Sequence, residues 1–169
     1  MARAVRGAEL VGLDLETIGL DPRRSEIRLT QIATSAETFV IDCQRRGKEE
    51  LLSVVEGLGA SPVVAHNAAF EWSFIYYHFG VELTNITDTM LLAQLLAAGN
   101  MGVERGLGPV AKDVIGVELD KDQQTSDWST PVLTKAQLDY AAFDAQVLIP
   151  LVERLGAEVA GAGSSALPR

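Results

Sequence analysis

The chain has 169 residues, of which 47% are hydrophobic and 22% charged, so it is long enough for one domain with a sizeable core and short for two. Its 14 Lys and Arg residues stand against 23 Asp and Glu residues, which gives a formal net charge of −9. This balance excludes a protein that holds nucleic acid by bulk positive charge, and any phosphate ligand needs metal ions or a local basic patch.

The cysteine count and the hydropathy of the sequence indicate whether the protein is soluble and where it is expected to reside. Cys43 is the single cysteine and has no partner for an internal disulfide. The sequence contains no run of about 18 apolar residues and no charged and then apolar leader. We therefore expect a soluble, cytoplasmic protein without a membrane association. The small residues at 159–169 are typical of a flexible tail or linker, which leaves residues 1–158 as the predicted functional domain.

The first half of the chain predicts strands and then an alternation of helices and strands. Short apolar and β-branched runs, separated by turn-prone stretches, predict an antiparallel meander of three strands at 8–15, 27–34 and 37–42. The next predicted elements are a helix at 47–58, a buried strand in SPVVAHN and an aromatic-rich helix at 68–79.

The second half of the chain predicts helices. A run with helical period, DTMLLAQLLAAG, begins at Asp88, and LGPVAKDVIG predicts a second short helix. A long helix begins at about Thr134 and repeats apolar residues with helical spacing as far as Leu155. Taken with the strands of the first half, this order predicts an α/β fold with a mixed sheet.

Two carboxylates interrupt the first apolar run, ELVGLDLETIGL. Side chains at positions i and i+2 of a strand point to the same face, so Asp14 and Glu16 present their oxygens side by side. Like charges at that separation repel each other. A solvated strand end would explain an isolated pair of this kind, and the pair alone leaves both interpretations open.

Further carboxylates follow at element ends and on packed faces. Glu71 lies about one turn into the helix that follows the fourth strand, at the strand edge where α/β sheets bind ligands, although the helix dipole also favours Glu there. Asp144 interrupts an apolar stripe of the long helix and shares a face with Tyr140, four residues earlier. A carboxylate on a buried stripe is costly unless it is paired or binds a cation.

These four carboxylates make sense together if divalent cations neutralise them. Oxygen ligands favour Mg²⁺ or Mn²⁺, whereas His66 and His78 form no zinc-binding motif. The sequence contains no G-x-S-x-G, no P-loop and no G-x-G-x-x-G after a strand, so it offers no support for acyl transfer, NTP hydrolysis or dinucleotide binding. Phosphoryl chemistry assisted by two metal ions remains.

Three stretches resemble the motifs of the DEDD superfamily of 3′-to-5′ exonucleases, over about residues 8–156. DLETIGLD resembles the first motif, HNAAFEWSFI the second and YAAFDAQVL the third. ITDTMLLAQLL is similar to the proofreading domain of DNA polymerase I, and LDKDQQTSDWSTPVLTKAQLDYAAFDA to ribonuclease D. The resemblance implies a ribonuclease-H-like, mixed five-stranded sheet flanked by helices. Tyr140 implies the branch that has Tyr in the third motif, the DEDDy branch.

The resemblance also implies a role for each acidic residue and for the tyrosine. Asp14 would bridge two metal ions, Glu16 and Asp144 would complete the first, and Tyr140 would orient the attacking water. The second ion falls to Glu71, although the family usually has Asp at that position of the second motif.

Two further sets of residues depend on the resemblance. Asp88 is the alternative ligand of the second ion, but it stands at a helix start, where capping explains it more simply. The residues expected to contact the terminal nucleotides are Thr17, Gly19, Leu20, His66 and Asn67. For Leu20, ordinary packing at the strand end is an equal interpretation.

The expected function is a metal-dependent 3′-to-5′ exonuclease that acts on 3′ ends of single-stranded or frayed DNA and releases 5′-mononucleotides. It would act alone or beside a polymerase domain or subunit. One alternative is the same chemistry on RNA, as in ribonuclease D. Another is a degenerate exonuclease fold that only binds nucleic acid or a protein, which the departure at Glu71 favours and the other motif residues oppose.

Overall fold

Five strands form one mixed sheet in the computed structural model, which describes residues 1–97, 105–120, 123 and 126–165. They are β1 (Val11–Thr17), β2 (Ile27–Ala33), β3 (Thr38–Asp42), β4 (Val63–Ala65) and β5 (Ile86–Asp88). Their order across the sheet is β3-β2-β1-β4-β5. The first three strands are antiparallel, and β4 and β5 run parallel to β1. The predicted meander and mixed sheet are confirmed, and the fifth strand is a short segment that the sequence analysis did not locate.

Helices flank this sheet on both sides. They are α1 (Ala2–Arg6), α2 (Lys48–Gly59), α3 (Ala69–Phe79), α4 (Thr89–Leu96), α5 (Leu107–Ile115) and α6 (Lys135–Ser165), and a single 3₁₀ turn spans Cys43–Arg45. Within the described ranges, no helix is long and apolar enough to cross a membrane. Helix α1 was not predicted, and β1 accordingly begins at Val11, later than the expected strand start at 8.

The end of the chain differs from the sequence-based expectation. Helix α6 continues to Ser165, so residues 159–165 are helical where a flexible tail was predicted. Helix propagation explains the difference, because a helix that is already formed gains one backbone hydrogen bond for each residue added. Residues 166–169 lie outside the described residues, and the assignment of 1–158 as the functional domain stays a prediction.

The sheet has two unlike faces. On the face that packs against α2 and α3, which we call the apolar face, lie side chains such as Leu13, Leu15 and Ile32. Alternation along the strands places Asp14 and Glu16 on the opposite face, which α6 covers and which we call the acidic face. Helices α4 and α5 pack against the second half of α6. One strand, β1, therefore contributes to the core with one side and to the acidic face with the other.

A glycine sets how closely α6 approaches β1. A Cβ atom placed on Gly12 would lie 2.5 Å from the backbone oxygen of Ala145, a distance that real Cβ atoms essentially never show. Any larger residue at this position would push the helix away from the strand. The absence of a side chain at Gly12 therefore brings the helical turn with Asp144 close to Asp14, two residues along β1.

Candidate active site

A cavity of about 460 Å³ opens on the acidic face and gathers the predicted carboxylates. Three elements supply them: Asp14 and Glu16 come from β1, Glu71 from the first turn of α3, and Asp144 from α6. Tyr140 lines the same cavity. Segments that are 55 or more positions apart in the sequence thus meet at one place, as the motif-based hypothesis requires.

Helix α6 holds Tyr140 and Asp144 as a pair. The two residues lie one turn apart on one face of the helix, and the interaction with Tyr140 lowers the pKa of the Asp144 carboxyl, against the effect of its burial. The Tyr140 ring packs against Trp128, with 6.5 Å between the ring centroids. Burial, followed by the charge of Asp144, raises the pKa of the Tyr140 hydroxyl above its ordinary value, so this hydroxyl keeps its proton at neutral pH.

The four carboxylates lie close enough to perturb one another. Burial and the neighbouring Asp144 raise the pKa of Asp14 to about 7. Burial, Asp14 and Asp144 raise the pKa of Glu16 to about 9, and burial raises the pKa of Asp144 to about 6. For Glu71, burial and the charge of Asp14 raise the pKa well above the ordinary value. Each shift reports a carboxylate that is poorly compensated by the protein alone.

The donor atoms at the cavity suit a hard divalent cation. Glu71 is 3% exposed and Asp144 is 6% exposed, and each has a buried carboxylate oxygen, Oε2 and Oδ1 respectively, without a hydrogen-bond partner. Oxygen donors of this kind are the preferred ligands of Mg²⁺ and Mn²⁺. Among the described residues, no three His, Cys, Asp or Glu side chains form a ready-made metal cage. The carboxylates therefore fit a metal site in chemistry and location, and binding requires their side chains to turn towards the ion.

Asp88, the alternative ligand of the second ion, instead accepts hydrogen bonds from backbone N–H groups. Its carboxylate accepts backbone N–H groups from Met90 and Leu91 at the start of α4, at 2.8 and 3.4 Å. It also accepts those of Asn67 and Ala68 before α3, both at 3.0 Å. Asp88 is not part of the cavity lining. The capping interpretation is thus confirmed, and Glu71 is the better placed of the two residues for a metal ion.

The residues after the first motif, Thr17, Gly19 and Leu20, are not part of the cavity lining. Thr17 donates its hydroxyl to the backbone oxygen of Gly19 at 2.7 Å, which fixes the turn that leaves β1. Leu20 is 85% exposed, so packing at the strand end does not account for it. The expected contact of Leu20 to a base stays a prediction.

His66 and Asn67 line the cavity at the end of β4. The ring nitrogens of His66 are both used within the chain: Nδ1 lies 2.8 Å from the Thr89 hydroxyl and Nε2 lies 2.7 Å from the backbone oxygen of Arg105. Burial lowers the pKa of His66, so the ring is neutral at pH 7. Asn67 has a left-handed backbone with φ of 65°, which asparagine tolerates better than most residues. Their expected contacts to substrate stay predictions.

Arg105 is a cavity residue that sequence reasoning missed. It is exposed, lies just before α5, and is the only arginine or lysine in the lining as far as the chain is described. Its backbone is held by His66, whose ring nitrogen lies 2.7 Å from its oxygen. No motif or periodicity marks this position, because only the fold brings the start of α5 next to β1 and β4.

The fold and the cavity together define an α/β protein with a buried acidic site suited to cations. The chain belongs to the 3′-5′ exonuclease family, since the model of that family matches residues 1–160. DNA polymerase I of Aquifex aeolicus is 36% identical over 145 residues, which cover 85% of this chain and 23% of that protein. Ribonuclease D of Acidiphilium cryptum is 28% identical over 141 residues, which cover 82% of this chain and 35% of that protein.

Solved structures show the same similarity. The structure of Brucella melitensis NrnC bound to pGG has a TM-score of 0.79 and 26% identity, and the match covers 94% of this chain and 76% of that one. A second structure of NrnC, at 24% identity and a TM-score of 0.78, contains bound Mg²⁺. The curated relatives are much longer than the matched region: this chain spans 23% of the polymerase and 35% of the ribonuclease. The ribonuclease-H-like fold and the family predicted from the three motifs are confirmed.

Proposed function

We propose that this chain is a metal-dependent 3′-to-5′ exonuclease that hydrolyses phosphodiester bonds at the 3′ ends of single-stranded or frayed DNA and releases 5′-mononucleotides. The observation that carries the proposal is the cavity in which Asp14, Glu16, Glu71 and Asp144 meet with raised pKa values. Membership of the 3′-5′ exonuclease family supports the reaction class.

The metal ligands in this proposal are the four carboxylates. Asp14 would serve both of two ions of Mg²⁺ or Mn²⁺, Glu16 and Asp144 would hold one of them, and Glu71 would hold the other. When bound, the ions lower the pKa of water and neutralise charge at the phosphate. The unpartnered oxygens of Glu71 and Asp144 support this assignment, because a buried carboxylate oxygen needs a donor or a cation. The Mg²⁺ found in NrnC supports the choice of metal.

Tyr140 orients the attacking water in the proposed reaction. Tyr140 and Asp144 both line the cavity and interact with each other, which places the phenolic oxygen at the cavity wall. That oxygen can in turn accept a hydrogen bond from a water molecule and align its lone pair with the phosphorus. Since the pKa of Tyr140 is raised, the hydroxyl stays protonated and acts by position, and the four carboxylates supply the negative charge.

Residues at the rim of the cavity bind the substrate. Arg105 is placed to bind a substrate phosphate, because a guanidinium forms paired hydrogen bonds with phosphate oxygens and the other charged residues of the described lining are acidic. Leu20 contacts the terminal base, and the backbone near Thr17 and Gly19 meets the terminal nucleotide. Asn67 contacts the region of the scissile bond.

The choice of DNA over RNA is supported by sequence identity alone. The match with DNA polymerase I reaches 36%, against 28% with ribonuclease D. RNA is the second candidate substrate, because several relatives are ribonucleases D. A polymerase domain or subunit is the proposed partner, since the relative that matches at 36% is a polymerase.

The test is a side-by-side digestion of single-stranded DNA and RNA, each labelled at the 3′ or at the 5′ end, with Mg²⁺ or Mn²⁺. We expect mononucleotide release from the 3′ end in the first seconds and faster loss of DNA than of RNA. The variant Asp14→Ala, purified in parallel, controls for contaminating nucleases. Faster loss of RNA than of DNA would identify RNA as the substrate in place of DNA. Absence of cleavage of either polymer, in a preparation that binds oligonucleotide, would favour a binding module.

A further inference from the structure

A buried glutamine lies on the acidic face without any hydrogen-bond partner. Gln31, in the middle of β2, is 0% exposed, and neither its side-chain nitrogen nor its side-chain oxygen has a partner. A buried amide that is left unpaired is unfavourable, whereas an apolar residue of similar shape would carry no such penalty. The amide of Gln31 therefore needs a hydrogen-bond partner, which is either a ligand or a neighbouring side chain.

The register of the sheet places Gln31 directly beside the first predicted metal ligand. Gln31 is paired with Asp14 across the antiparallel strands β1 and β2, so the two side chains point to the same face. Residues paired in this way have Cβ atoms about 4.5–5.5 Å apart, which is within reach of a glutamine amide and a carboxylate.

Helix α6 covers Gln31 with the turn that carries another of these ligands. Two residues before Gln31 on β2, Leu29 belongs to the same buried cluster as Ala141 of α6. Two residues after Gln31, Ala33 pairs with Gly12, which lies against the backbone of Ala145. Gln31 lies between these two contacts and therefore beneath the turn 141–145, which includes Asp144.

The unpartnered groups at this place are complementary. Asp144 has a buried oxygen, Oδ1, without a donor, and Gln31 has a buried NH₂ group without an acceptor. An amide NH₂ group has two N–H donors, so one glutamine can serve two carboxylates at once. A hydrogen bond between these groups would satisfy both of them.

We propose that Gln31 is a positioning residue whose amide nitrogen donates hydrogen bonds to Asp14 and Asp144 and orients both carboxylates towards the metal ion. The inference rests on the proposed function, because it concerns the same metal site. It assigns to Gln31 no contact with the substrate. Removing the amide should therefore weaken metal binding and leave the affinity for the oligonucleotide unchanged.

The variant Gln31→Met tests this role, because methionine has a similar length and no N–H donor. Isothermal titration with Mn²⁺ alone should show at least about tenfold weaker binding than in the wild type, as expected when a residue that orients a ligand is lost. The kcat should fall at low metal concentration, with KM for the oligonucleotide unchanged. Unfolding stability without metal should be equal or higher, since a buried unpaired amide is removed.

Gln137→Met is the matched control. Gln137 is also buried and lies on α6, but its amide is fully used: Oε1 accepts the Thr134 N–H at 2.9 Å, and Nε2 donates to the Ser126 hydroxyl at 2.8 Å and to the Asp127 oxygen at 3.2 Å. This variant should lose unfolding stability and bind Mn²⁺ as the wild type does. The two glutamines should therefore respond in opposite ways.

A spectroscopic measurement keeps the proposal testable if Gln31→Met does not fold. In the wild type, the side-chain amide resonances of Gln31 should shift during a titration with Mg²⁺, whereas those of Gln137 should stay in place. Two results would overturn the role of Gln31 and leave the proposed function standing. One is a Mn²⁺ affinity of Gln31→Met equal to that of the wild type, and the other is Gln31 resonances that do not shift at saturating Mg²⁺. A wild type that binds no metal would instead contradict the proposed function.

Discussion

The two faces of the sheet use the same strands for opposite purposes. On the apolar face, Leu13 and Leu15 pack with the buried side chains of α2 and α3, and burial of each leucine contributes about 1.5–3 kcal/mol. On the acidic face, Asp14 and Glu16 alternate with these leucines and have raised pKa values because they are buried near other acids. Strand β1 therefore gains stability on one side and loses some on the other, where a cation would restore it.

The largest expected effect on function comes from Asp14→Ala, on the acidic face. Activity should fall by about 10³-fold or more, because this side chain is the proposed ligand of both metal ions. Stability without metal should be equal or higher, since the substitution relieves repulsion between carboxylates. Initial rates on a labelled oligonucleotide and thermal unfolding in EDTA measure the two quantities. A rate near that of the wild type would contradict the assignment of the metal site.

The counterpart on the apolar face is Leu58→Ala, in α2. Leu58 is fully buried in the core cluster beneath α2 and α3, so its truncation should lower the free energy of unfolding by about 2–5 kcal/mol. The rate per folded molecule should not change, because this residue lies on the side of the sheet away from the cavity. Urea denaturation and rate measurements at low temperature check the prediction. A loss of rate without a loss of stability would show that the two faces are not separate.

The variant Glu71→Ala tests which acidic residue serves the second metal ion. We expect a loss of about 10²-fold in activity, given what a cation contributes to a transition state, and partial activity in Glu71→Asp. Asp88→Asn should chiefly lower stability, because Asp88 accepts N–H groups at the starts of α3 and α4. If Glu71→Ala keeps its rate and Asp88→Asn loses its rate while folded, the second ion belongs to Asp88.

Arg105→Ala should have the smallest of these effects. The loss of a phosphate contact at the cavity rim should raise KM about tenfold, with kcat little changed, and should reduce the dependence of binding on salt. Arg154→Ala is the matched control: it removes the same charge from α6, where Arg154 pairs with Glu158 at 2.8 Å and not with the cavity. Equal KM values for the two variants would remove Arg105 from the substrate site.

Local sequence patterns predicted the features that depend on neighbouring residues. The alternation around Asp14 and Glu16, and the helical spacing of Tyr140 and Asp144, are visible in single segments, and the structure shows the corresponding strand and helix. The strand β5 was not located because three residues are too few for a periodic signal. Residues 159–165 were expected to be flexible because their Gly, Ala and Ser composition is that of a linker and does not show that the preceding helix continues into them.

Features that depend on distant parts of the chain were beyond local patterns. Gln31 gives no sign of its surroundings in the sequence, because its pairing with Asp14 and its cover by α6 arise only on folding. The same holds for Arg105, which the fold brings to the cavity from the start of α5. The contacts of Asp88 were predicted in part. Its capping of α4 was expected from the sequence, whereas its contacts with Asn67 and Ala68 were not.

The central claim, that the acidic face is a cation site, is tested most directly by thermal unfolding with and without metal at two pH values. Because the pKa of Asp14 is raised to about 7 and that of Glu16 to about 9, the folded protein binds more protons than the unfolded chain. Stability without metal should therefore fall as pH rises from about 5 to 9. At pH 8, millimolar Mg²⁺ or Mn²⁺ should raise the Tm of the wild type by mass action, and not that of Asp14→Ala. An unchanged Tm of the folded wild type at every metal concentration would contradict the claim.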